Sequence, residues 1–95
     1  MRYLFLLNPT AGKRDCTAEL APAIQAAAQR AGIPLEKRKV VVTRYAGHAR
    51  ELAAEAAHTA QADGEPVRIW TAGGDGTFNE ALTGAQGCGF AAVGC

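Results

Sequence analysis

Apolar residues along this chain alternate between short unbroken runs and spaced stripes, and the two patterns predict different elements. Residues 3–7, "YLFLL", form a run too short for a helix and stopped by Asn8-Pro9, which predicts a buried strand. Leu20, Ile24, Ala27, Ala28 and Ala31 then recur at helical spacing. They predict a helix over 17–31, with Glu19 near its positive end, Arg30 near its negative end and Gly32 to stop it. Pro22 falls in the first turns, where a missing amide proton costs little. Residues 35–43, with "KVVVT" at their end, predict a second strand. An Ala-rich helix over 46–62 follows, with Leu52, Ala53, Ala56 and Ala60 on its buried face, and "ADGEP" breaks it. Residues 67–72 predict a third strand, 78–83 a short helix, and 90–93 a fourth strand.

Strand and helix alternate throughout, which calls for an α/β fold: a Rossmann-like open parallel sheet with right-handed crossovers and helices on both faces. Ninety-five residues fit one small domain or part of a larger one. The chain stops at Cys95, directly after a central-looking strand. Ligands of open α/β sheets lie outside the carboxyl ends of the strands, so the expectation is a truncated domain that lacks one loop of its own site. An uncovered sheet edge or apolar face would favour self-association.

Composition narrows the function classes. A net charge of +1 provides no broad basic field, which argues against duplex DNA as a partner. "EKRK", 36–39, reads as the solvated start of a strand. The first apolar run is too short for a signal peptide or a spanning helix, and the expectation is a cytoplasmic protein. Cys16, Cys88 and Cys95 form no C-x-x-C pair and read as reduced thiols, so no cysteine-bound metal is expected.

The candidate chemistry lies in two loops that each follow a strand and precede a helix. In "GGDGTFNE", 73–80, three glycines allow phosphate oxygens to approach the backbone at the positive end of a helix, and Thr77 can donate from amide and hydroxyl. Asp75 would repel phosphates unless it holds a bridging Mg²⁺, contacts that ion through water, or accepts a proton or hydroxyl contact. The same residues also fit a capping box, with Thr77 capping Glu80, and Asp75-Gly76 fits a plain turn. The second loop, "NPTAGKR", 8–14, lacks Walker spacing. Asn8 offers an amide, Pro9 stiffens the turn, Gly12 permits close approach, and Lys13 and Arg14 either meet phosphates or stay solvated. His48 reads as an exposed residue in a first helical turn more than as an acid-base group, His58 as solvated or structural, and Trp70 as a core-facing strand aromatic more than as a contact to adenine.

Together "NPTAGK", "TRYAGHARELA" and "GGDGTFNE", in that order, resemble the catalytic domain of the diacylglycerol kinase family, which includes bacterial lipid kinases and sphingosine kinases. The wider superfamily takes in NAD kinases and phosphofructokinases. The resemblance implies transfer of the γ-phosphoryl group of ATP, with Mg²⁺, to a lipid hydroxyl such as that of diacylglycerol. It implies that Asn8, Pro9, Thr10, Ala11, Gly12 and Thr43 border the nucleotide and that Gly73, Gly74, Asp75, Gly76, Thr77, Phe78 and Asn79 form its main loop. Asp75 would organise nucleotide and metal. The resemblance further implies a transient membrane surface as partner. It places the lipid side of the cleft and the catalytic base in a β-rich domain outside Met1 to Cys95, so that the 95-residue chain alone would be inactive. An NAD kinase shares the Gly-Gly-Asp-Gly and Asn-Glu elements but not "NPTAGK". A nucleotide-binding module without catalysis is the reading from another class.

Overall fold

The computed structural model describes residues 1–8, 17–72 and 75–94, apart from the side chains of 17–20 and of residue 75. Along these the order is β1 (Arg2–Leu7), α1 (Thr17–Arg30), a 3-10 turn (Leu35–Lys37), β2 (Arg38–Val42), α2 (His48–Asp63), β3 (Val67–Ala72), α3 (Asp75–Gly84) and β4 (Ala91–Gly94). The strands pair in parallel in the order β2-β1-β3-β4. Leu7 lies opposite both Val42 and Ala72, so the ends of β2, β1 and β3 reach the carboxyl edge level with one another.

Alternation along the strands decides which residues enter the core. Leu4 and Leu6 of β1 and Val67 and Ile69 of β3 share one face. They bury against Ala49, Ala53, Ala57 and Ala60 of α2 and against Ala81 and Ala85 at α3. Leu7 and Ala28 are buried outside this cluster, because the first crossover carries α1 to the other face. The interface between α2 and α3 is built almost wholly from alanine and Gly84, so the helix backbones come close together.

Three element boundaries differ from the sequence reading by two residues or more, the others by at most one. Residues 35–37 turn instead of extending, since Lys37 N–H donates to Pro34 O at 3.0 Å and the polar side chains find partners elsewhere. Lys37 Nζ reaches Glu65 at 2.8 Å, and the Arg38 guanidinium holds Gln25 and the Ile33 carbonyl, so "EKRK" does more than meet solvent. Helix α2 begins at His48, after Gly47 takes a left-handed φ of 90°. Its buried stripe is Ala49, Ala53, Ala57 and Ala60, while Leu52 and Ala56 are half-buried and line a groove over β2 with Val41. The stripe turned to the core is made of alanines, and the larger Leu52 packs at its margin. Helix α3 begins at Asp75, three residues before the expected start at Phe78. An acidic residue in a first turn suits the positive end of a helix.

At the amino edge, far from the loops that follow the strands, Arg2 pairs with Asp63 at 2.6 Å and Glu65 at 3.0 Å. The hydrogen bond from Lys37, with a smaller contribution from the terminal ammonium, holds the Glu65 carboxyl below its ordinary value of 4.5. A carboxyl depressed on folding stabilises the native state fully above its unfolded value and loses that contribution as pH falls through its lower folded value. Acid unfolding followed by circular dichroism is therefore expected to lose part of its steepness below about pH 4.5 in Glu65→Gln. An unchanged acid limb would remove Glu65 from the stabilising set.

Candidate functional site

Strand order sets the place of the site. From β1 the chain moves to β2 on one side and then crosses back to β3 on the other, so the order reverses between β1 and β3. Connections diverge there, and in open α/β sheets the ligand position is outside the carboxyl ends at such a point. The two glycine-containing loops leave the sheet at this point, after β1 and after β3.

Asn8 continues β1, and its backbone N–H donates to the Ala72 carbonyl at 2.9 Å. Its side chain reaches the start of α3: Asn8 Nδ2 donates to Thr77 Oγ1 at 3.1 Å. Thr77 lies in the first turn of α3 and is 4% exposed. Only residues 73 and 74 separate β3 from α3, which brings the helix start directly over the strand end. On the other flank, Thr43 follows β2, and both its N–H (2.7 Å) and its Oγ1 (3.3 Å) donate to the Leu7 carbonyl. The buried polar side chains among the described residues are Thr43, Thr71 and Thr77, all at or near this edge. Thr71 Oγ1 donates to the Gly94 carbonyl at 3.4 Å. The sheet interior thus changes from leucine and alanine to hydroxyls as it approaches the rim.

Asn8, Thr43 and Thr77 therefore stand on one rim. Gly76, Phe78 and Asn79 lie in the opening turns of α3, Phe78 half-buried and the other two exposed. Pro9, Thr10, Ala11, Gly12, Lys13 and Arg14, together with Gly73 and Gly74, lie outside the described residues. Asp75 opens α3, and its side chain also lies outside the description. The capping-box reading of "TFNE" does not hold in its simple form, because Thr77 sits inside α3 rather than before it. Its hydroxyl accepts the amide of Asn8 from the neighbouring loop.

The turn after Thr43 is ordered by its own side chains. Arg44 N–H donates to His48 Nδ1 at 2.9 Å, and the Tyr45 ring stacks on the imidazole at 4.5 Å and 16°. Tyr45 O–H donates to Glu51, and that hydrogen bond raises the phenol above its usual value. His48 is therefore half-buried and bonded rather than exposed. Tyr45 drew no separate attention in the sequence; its position three residues before a histidine, at a helix start, was the available signal. Thr71 was missed for a related reason, since a threonine in an apolar strand reads as a β-former until its register is known. His58 is exposed, as expected of a residue without a motif. Trp70 is half-buried rather than enclosed, with the Arg68 guanidinium 5.8 Å from its ring centroid.

Comparison with known proteins decides the family. The model of the diacylglycerol kinase catalytic domain matches residues 2–94. The chain belongs to that family. A search of curated proteins found no match. Membership in the diacylglycerol kinase catalytic domain family places the chain among kinases, which are phosphotransferases. The α/β architecture, with its all-parallel four-stranded sheet, agrees with that assignment. Among the described residues no helix is long and apolar enough to cross a membrane, and no group of three or more His, Cys, Asp or Glu could hold a metal ion.

Proposed function

We propose that this chain supplies the nucleotide side of an ATP-dependent lipid kinase that moves the γ-phosphoryl group onto the hydroxyl of diacylglycerol or a related lipid alcohol. The observation that carries the reading is the 3.1 Å hydrogen bond from Asn8 to Thr77, which ties the β1 loop to the α3 start across the reversal point of the sheet. A polyphosphate needs several donors converging from a rigid frame. The rim provides a helix N-terminus with the Asn8 carboxamide and the Thr77 hydroxyl joined at it, while the Thr43 hydroxyl, bound to the Leu7 carbonyl, fixes the neighbouring strand end. This donor set fits ATP. Pro9 to Gly12 and Gly73 to Asn79 would border its phosphates, and Asp75 would organise Mg²⁺, which neutralises charge on the transferring group. Family membership gives the acceptor class its support. The lipid side of the cleft and the catalytic base would come from residues other than Met1 to Cys95. The enzyme would work in the cytoplasm and meet its lipid at a membrane surface.

The protein encoded by the whole reading frame, incubated with ATP and Mg²⁺ and offered diacylglycerol vesicles and NAD in parallel, is expected to label the lipid. Phosphate on NAD alone would replace the lipid assignment with an NAD kinase. ATP binding without transfer to either acceptor would leave a nucleotide-binding module.

A further inference from the structure

The segment between β2 and α2 has an unusual construction. Gly47 precedes α2 and has no side chain with which to cap it, and its φ of 90° turns the chain sharply. The closure is made instead from within the helix. His48 N–H donates to the Tyr45 carbonyl at 3.1 Å, while the His48 ring reaches back to Arg44, whose N–H donates to Nδ1 at 2.9 Å. An imidazole nitrogen that accepts a hydrogen bond carries no proton, so the neutral ring must hold its proton on Nε2. Tyr45 packs flat on the ring and is itself held by Glu51 one helical turn further on. Arg44 directly follows Thr43, whose amide and hydroxyl both bind the Leu7 carbonyl beside Asn8. The imidazole therefore fixes the residue next to the rim threonine.

We infer that His48 is a positioning residue of this rim: as the Nε2–H tautomer it anchors the Arg44 amide and so holds Thr43 in line with Asn8 and Thr77. The consequence for ligand binding rests on the nucleotide reading proposed above; the anchoring itself does not. An aliphatic side chain at position 48 would keep the helix but lose the acceptor. Asparagine places an amide oxygen close to where Nδ1 stands and retains it.

The test uses the isotopically labelled chain with two substitutions. In the wild type, two-bond nitrogen–proton correlations should show Nδ1 unprotonated and Nε2 protonated. His48→Ala should speed hydrogen exchange at the Arg44 amide about tenfold, and His48→Asn should restore it to within about twofold. Titrated with ATP and Mg²⁺, His48→Ala should bind roughly five- to tenfold more weakly, with His48→Asn close to wild type. A proton on Nδ1, or an Arg44 amide equally protected in His48→Ala, would overturn the inference. So would wild-type ATP affinity in His48→Ala once the Arg44 amide is shown to be released. A wild-type chain that does not bind ATP would instead remove the nucleotide reading, and the Arg44 exchange would still decide whether His48 holds the turn.

Discussion

Replacing Gly84 with alanine is expected to lower the thermal midpoint by about 8–16 °C, although alanine is the better helix former. A Cβ at this position would lie 2.2 Å from the Arg50 carbonyl oxygen and 3.0 Å from the Ala54 nitrogen, both backbone atoms of α2. Neither can rotate away as a side chain would, so α3 must move bodily. Alanine's helical preference over glycine offers about 1 kcal/mol, whereas forcing an extra carbon into a packed interface costs about 1–3 kcal/mol, and here the contact is with main chain. A clash with main chain puts the cost at the upper end of that range, so the net change is expected near 2 kcal/mol, a large share of the stability of so small a domain. Gly89 is the control: a Cβ there meets nothing within 4 Å and its φ is ordinary, so Gly89→Ala should leave the midpoint unchanged within about 2 °C. Because Thr77 rides on α3, Gly84→Ala should also loosen its contact with Asn8, visible as a change at the Asn8 side-chain amide. Equal midpoints for wild type and Gly84→Ala would mean that α2 and α3 do not approach as described.

The second large effect is expected at Asp75. Two roles compete for a carboxylate at the first position of α3, and their magnitudes differ enough to separate them. As a complement to the helix dipole it would contribute roughly 0.3–1 kcal/mol of stability and nothing specific to turnover. As the group that organises Mg²⁺ and nucleotide in a lipid kinase, its removal should cost about 10²–10³ in kcat. Assayed with diacylglycerol, ATP and Mg²⁺ in the whole reading frame, Asp75→Ala is expected to lose turnover by that factor, with its thermal midpoint falling only a few degrees. Asp75→Asn should lose almost as much, since it keeps a hydrogen-bonding side chain but not the charge. Turnover within a few-fold of wild type in either variant would leave Asp75 as a helix-start residue and no more.

The parts of this structure that were legible in the sequence are those governed by local pattern. An unbroken apolar run bounded by turn residues marks β3 to the residue, and the order of strands and helices is enough for the parallel sheet. The two loops could be assigned to one edge because each follows a strand. Their approach to each other across the reversal point depends on sheet order, which no local pattern carries. The α2 stripe was misjudged because Leu52 outranks Ala49 and Ala57 in hydrophobicity, while the helix turns its small residues to the core it shares with β1, β3, Ala81 and Ala85. The α3 start was misplaced because Thr77 and Glu80 form a sound capping box taken alone, and a partner from a distant loop claimed the threonine. The bonding of His48 was hidden for a similar reason, since an acceptor role toward the amide four residues earlier depends on the left-handed turn at Gly47.

The decisive measurement is a titration of the labelled chain with ATP and Mg²⁺, following the amides of residues 8–12, of Thr43 and of residues 73–79. Two loops that grip one polyphosphate should shift together, with a single dissociation constant at every one of those positions that carries an amide proton, Pro9 having none. Shifts confined to one loop, or differing constants for the two, would contradict a shared nucleotide site.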